Sequence, residues 1–91
     1  MVKVVLPSLL ARTVENQREI IVSATTIDEA LTQLVTRYGE PLRHILFDAT
    51  GKPKHVLNYF VNGKNAHFLN DLATPLLDTD ELVILPRASG G

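Results

Sequence analysis

The stretch Glu81-Leu82-Val83-Ile84-Leu85-Pro86 (ELVILP) decides how the rest of the chain is arranged. Its apolar residues fall on both faces of a strand. A strand of that kind belongs in the middle of a sheet, covered above and below. The turn-forming Asp78-Thr79-Asp80 precedes it, and Arg87, Ala88, Ser89, Gly90 and Gly91 follow. The expectation is a folded domain over residues 1–86, with its last strand inserted centrally, and a flexible tail over 87–91 that ends in Gly-Gly.

Moving outward from that strand, Val61-Asn62-Gly63 marks a tight turn, because both Asn62 and Gly63 tolerate positive φ. His55–Asn62 reads as a strand with Leu57, Tyr59 and Val61 on one face, and Lys64–Phe68 as a short returning strand. Asp48–Lys54 (DATGKPK) is loop chemistry. Thr26 followed by Glu29 predicts a capped helix start. Ile27, Ala30, Leu31, Leu34, Val35 and Tyr38 then recur as one apolar stripe. Gly39 suits the position after the helix, and Pro41 blocks its continuation. Pro41–Phe47 accommodates a second, short helix. Met1–Pro7, with Val2, Val4 and Leu6 on one face, and Gln17–Val22 read as two strands of an antiparallel hairpin. Ser8–Asn16 reads as the connection between them. The order predicts an α+β domain of β-grasp type: a mixed sheet of about five strands, one main helix and the short second one.

The 91 residues bound the chain to one domain, and 45% hydrophobic with 21% charged residues is ordinary globular composition. A net charge of -1 provides no field to recruit nucleic acid. No run approaches membrane-spanning or signal-peptide length. Cysteine is absent, which removes disulfides, thiolate metal sites and a cysteine nucleophile, and fits a reducing cytoplasm. His44, His55 and His67 lack the short spacings of a metal site. Asp78, Asp80 and Glu81 lack the ligand ladder and glycine of a calcium loop, so a solvated turn is expected there. Conventional catalysis finds little support, and no metal is expected.

That leaves the end of the chain. A Gly-Gly end has no side chains beside its carbonyl and can thread a narrow channel in a partner. A carboxylate acylates poorly until it is converted to an acyl-adenylate, and no ATP site exists in this sequence to do that. The expectation is a carrier that acts with partner enzymes, not an enzyme.

Val61-Asn62-Gly63, Leu77-Asp78-Thr79-Asp80-Glu81-Leu82, Leu85-Pro86 and the closing Gly90-Gly91 resemble the MoaD/ThiS family of ubiquitin-like β-grasp sulfur carriers. Leu72-Ala73-Thr74, the ending Ile84–Gly91 and the lengthened middle Pro41–Lys54 are most similar to its CysO-type carriers of cysteine biosynthesis. Thr79 stands where the family often has Gly, and Arg87 where molybdopterin-type carriers often have a second Pro. The resemblance implies that an E1-like adenylyltransferase/sulfurtransferase uses ATP to adenylate Gly91, with Gly90 beside it, and that a thiocarboxylate then forms. It implies a sulfur-accepting, cysteine synthase-like enzyme with PLP, and a metalloprotease that releases product. ATP and PLP belong to those partners; no intrinsic cofactor is implied. The small subunit of molybdopterin synthase, and a ubiquitin-like modifier or binding module, remain open alternatives.

Strand parity places Val5 and Phe60 on the sheet face opposite the main helix, with Leu85 and Pro86 nearby. Such a face suits docking of a partner. Equally open is that Pro41–Phe47 or the Asp48–Lys54 loop covers it. Arg87 is expected either as a solvated charge or as a group that steers the tail.

Overall fold

The computed structural model describes residues 1–87. Strand β1 (Val2–Val5) pairs antiparallel with β2 (Glu19–Val22), as the hairpin pattern predicts. The connection between them is not plain loop. It forms a short helix α1 (Ser8–Ala11) followed by a 3-10 turn at Arg12–Val14. Its physical reason is burial: Leu6, Leu10 and Val14 all reach the core and are at most 1% exposed.

Helix α2 (Ile27–Tyr38) starts and stops where its sequence predicts. The Glu29 amide donates to Thr26 Oγ1 at 3.1 Å. The Glu29 carboxylate reaches one residue further back than a reciprocal cap would, accepting from the Thr25 amide at 2.9 Å and the Thr25 hydroxyl at 3.0 Å. Gly39 ends the helix at φ 85°, a left-handed conformation that favours glycine. Helix α3 (Glu40–Leu46) follows at once, with Pro41 in its first turn, where a missing amide hydrogen costs nothing. Leu42 and Leu46 place α3 in the same core as α2.

Strand β3 (Leu57–Val61) turns at Asn62 (φ 50°) and Gly63 (φ 88°) into β4, which is only Lys64–Asn65. The predicted return strand to Phe68 stops early. Asn65 Oδ1 accepts the His67 amide at 2.9 Å, and the chain coils into a 3-10 turn over Ala66–Phe68 that buries Ala66. Another 3-10 turn covers Asp71–Ala73. Strand β5 (Glu81–Pro86) completes a sheet of order β2-β1-β5-β3-β4. It runs parallel to β1 and antiparallel to β3. The last strand is therefore central, as its apolar run requires.

The cover is one-sided, however. Val2, Val4, Leu57, Tyr59, Val61, Leu82 and Ile84 face the helices and are buried. Helix α3 packs against α2 on that same side, so neither it nor the loop after it shields the opposite face. The fold is the α+β ubiquitin-like architecture that the order of elements implies, with one helix more than that order suggested.

Candidate functional site

Gly90 and Gly91 lie outside the described residues. What the structure places is the strand that leads to them. The phase of the β3–β5 ladder is set by its two ends. The Arg87 amide donates to the Val56 carbonyl at 2.7 Å, and the Asn62 amide to the Glu81 carbonyl at 3.0 Å. Strand β5 is thus bonded to β3 up to Arg87, the last described residue. The Arg87 side chain is exposed, with Nη2 3.4 Å from Asn58 Oδ1.

The start of β5 is clamped by the residues that looked, in sequence, most like a cation loop. Asp80 Oδ1 accepts from Asn62 Nδ2 at 2.8 Å, and Oδ2 accepts from the Leu77 amide at 2.8 Å. Asn62 Oδ1 in turn accepts the Glu81 amide at 2.9 Å. The Asp80 carboxylate is already engaged as a hydrogen-bond acceptor within a turn. Among the described residues, no three His, Asp or Glu side chains converge to hold a metal.

The helix-free face of the sheet carries a row set by the register. Val5 lies beside Val83, and Val83 beside Phe60, across β1, β5 and β3. All three are half-buried. Leu85, 43% exposed, lies one step further along β5, opposite Asn58. Sequence parity had brought Val5, Phe60 and Leu85 to this face, and the structure brings them together. Pro86 is different. It pairs with Leu57, whose side chain is buried on the helix side, so strand alternation puts Pro86 on the other parity, at the exposed end of β5.

Val83 and Ile21 were not singled out from sequence. Ile21 is 47% exposed and pairs with Lys3 on the same face. The alternation Ile20 in, Ile21 out, Val22 in would have revealed it. Polar groups border the patch: Lys3 Nζ sits 3.7 Å from Glu19 and 3.8 Å from Glu81, bridging the neighbouring strands across β1. These pairs are solvent-exposed and contribute little stability, but they neutralise the charge beside the apolar row. The shifted carboxylates lie elsewhere. Glu40 is held below the usual range, chiefly by a hydrogen bond from Arg43, and Asp48 chiefly by one from the Thr50 hydroxyl, which organises the loop after α3. Taken together, the site is a firmly held central strand, an apolar face beside it and a terminal segment beyond, with no clustered groups for bond-making chemistry among the described residues.

Comparison with known proteins agrees over nearly the whole chain. The model described as ThiS family matches residues 4–91. The sulfur carrier protein CysO of Mycobacterium tuberculosis (strain ATCC 25618 / H37Rv) is 28% identical over 91 residues, covering 99% of this chain and 98% of that one. The crystal structure of Mycobacterium tuberculosis CysO superposes with a TM-score of 0.86 at 26% identity, over 97% of this chain and 100% of the other. The small archaeal modifier protein 1 (SAMP1) of Methanosarcina acetivorans gives a TM-score of 0.87 at 30% identity, over 99% of this chain and 95% of that one. The Amycolatopsis orientalis BexX/CysO complex has a chain that superposes with a TM-score of 0.85 at 23% identity, with full coverage of both chains, a likeness of fold.

Proposed function

The chain belongs to the ThiS family, whose sulfur carriers are small carrier proteins rather than enzymes, and from that membership we propose that its working group is the carboxylate of Gly91. An E1-like partner adenylates it: a carboxylate oxygen attacks the α-phosphorus of ATP and pyrophosphate leaves. Hydrosulfide released by a sulfur donor then attacks the acyl carbon, AMP leaves, and loss of the proton gives a thiocarboxylate. Sulfur is the more nucleophilic atom at neutral pH, so Gly91 delivers it to an electrophilic acceptor. The similarity to CysO favours cysteine biosynthesis, with an activated serine on a PLP-dependent synthase as acceptor and a metalloprotease to release product. This reading places the carrier and its partners in the cytoplasm.

The observation that supports this reading most is the position of β5. It is the central strand, held on both edges, and its sequence runs through Arg87 directly into Ala88-Ser89-Gly90-Gly91. A reactive end attached there is presented by the most firmly held element of the domain. The row Val5–Val83–Phe60, with Leu85 beside it, is the surface on which the partners dock, and Arg87 and the exposed Pro86 sit where that surface meets the terminal segment. The fold shared with a chain of the BexX/CysO complex fits a carrier that is held by a partner protein.

The test is the intact mass of the chain after incubation with an E1-like enzyme, ATP and a sulfur donor. A gain equal to exchange of one oxygen for sulfur is expected, with no gain for the chain lacking Gly91, which folds normally. Activation of the shortened chain would sink the proposal. The SAMP1 likeness favours a second reading, a modifier joined through Gly91 to lysines; adducts on lysine in place of the sulfur exchange would select it. A lasting complex with a larger subunit would point to a molybdopterin synthase-type role.

A further inference from the structure

Strand β2 is the outer strand of the sheet and pairs with β1 alone among the described residues. The Leu6 amide donates to the Arg18 carbonyl at 2.8 Å, which sets the phase of that ladder. Arg18, Ile20 and Val22 turn their backbone groups toward β1, as Leu6, Val4 and Val2 turn theirs toward β2. The Lys3 amide points the other way and donates to the Asp80 carbonyl at 3.3 Å. Gln17, Glu19, Ile21 and Ser23 therefore turn their backbone groups outward. The chain itself closes both ends of that row. The Gln17 amide donates to the Val14 carbonyl at 3.0 Å. At Ser23 the Gln33 side chain, from α2, stands in for a neighbouring strand: its Oε1 accepts the Ser23 amide at 3.2 Å, and its Nε2 donates to the Ser23 carbonyl. Between these ends, Glu19 and Ile21 are exposed, and their amides and carbonyls meet no strand, turn or loop partner among the described residues.

We propose that this edge is the meeting surface of two copies of this chain, joined β2 to β2 as an antiparallel pair about a two-fold axis at Ile20. An outer strand with unpaired groups is a template for pairing with another chain. In this register Glu19 of one copy stands opposite Ile21 of the other, and each such pair exchanges two bonds. The bonds then satisfy every amide and carbonyl at Glu19 and Ile21 in both copies. The neighbouring registers fail to do so. Pairing Ile21 with Ile21 sets Glu19 against Ser23, which Gln33 already caps. Pairing Glu19 with Glu19 sets Ile21 against Gln17, whose amide is taken. The length and spacing of the open row thus fit a second copy in closed two-fold symmetry. The side chains agree. Ile21, 47% exposed, comes to lie between Lys3 of its own chain and Glu19 of the second copy, covered by the aliphatic stems of both. The two Glu19 carboxylates become diagonal neighbours, and each has the Lys3 ammonium of its own chain at 3.7 Å to offset the repulsion. Strand β5 lies two strands in from the joint. The Val5–Val83–Phe60 row therefore stays open in both copies, and the inference does not rest on the sulfur-carrier reading.

Sedimentation equilibrium of the full chain from micromolar to millimolar concentration decides the matter, together with amide hydrogen exchange at both ends of that range. A monomer–dimer equilibrium is expected. Exchange at Glu19 and Ile21 should slow at least threefold in the concentrated sample, while Ile20 and Val22, already bonded to β1, change little. Ile21→Pro removes an outward amide that β1 does not use and should abolish the dimer. Ile21→Glu sets a carboxylate opposite Glu19 of the second copy, whereas Ile21→Lys sets an ammonium there. The glutamate variant should therefore dimerise at least fivefold more weakly than the lysine variant, a comparison that holds even if proline disturbs the strand. A monomer at millimolar concentration, protection at residues other than Glu19 and Ile21, or equal weakening by glutamate and lysine would overturn the proposal. The measurement involves no activation step, so its failure and a failure of sulfur loading are separately visible.

Discussion

Tyr59 shows how single residues report the energetics of this domain. Its ring is 7% exposed on the helix side of β3, and its hydroxyl has no hydrogen-bond partner among the described residues. Burial pushes its pKa up from 10.0 to about 12. A folded-state pKa above the unfolded one means that the stability is fully present below pH 10. It is lost as pH rises toward 12, because the unfolded chain releases the proton first. The loss amounts to about 2–3 kcal/mol across that window. Tyr59→Phe should therefore be neutral, or up to about 1 kcal/mol more stable, at pH 7. It should also lack most of the wild-type decline between pH 9 and pH 12 in urea unfolding. An identical alkaline decline in both proteins would show that other groups cause it. Tyr59 was legible in the sequence as a core residue from parity alone. The orphaned hydroxyl was not, since it depends on what every neighbouring chain segment brings near it.

Among the elements, α2 is the most fully encoded. Its cap, stripe and glycine stop are all local signals, and Ile27, Ala30, Leu31 and Leu34 are buried as the stripe requires. Leu34 is 0% exposed, so Leu34→Ala should cost about 2–5 kcal/mol in denaturant unfolding. A change near zero would mean that the neighbouring side chains close the cavity completely. Elements shorter than two turns were harder to read. Helix α1 is only Ser8–Ala11, too short for a moment of its own; its signal is the spacing Leu6, Leu10, Val14, which crosses a strand end, a helix and a 3-10 turn. Strand β4 read as longer than it is, because Ala66, His67 and Phe68 are compatible with a strand. The Asn65 side chain instead offers the His67 amide a local partner in place of a ladder bond.

At the scale of the whole molecule, the open sheet face is the feature with the clearest consequence. Leu85→Glu places a carboxylate on that face at a 43% exposed position. It should change unfolding stability by less than about 0.5 kcal/mol and slow activation by the E1-like enzyme at least tenfold. An unchanged rate would mean that the enzyme docks elsewhere. Local order along the chain determined the main elements and the central placement of β5, because alternation and capping are properties of neighbours in sequence. Which face of β5 stays uncovered was decided only by the tertiary structure. An apolar residue looks the same in sequence whether helices or a visiting partner cover it. That α3 folds onto α2 instead of across Val83 is settled by how these segments pack together, which no single segment reveals.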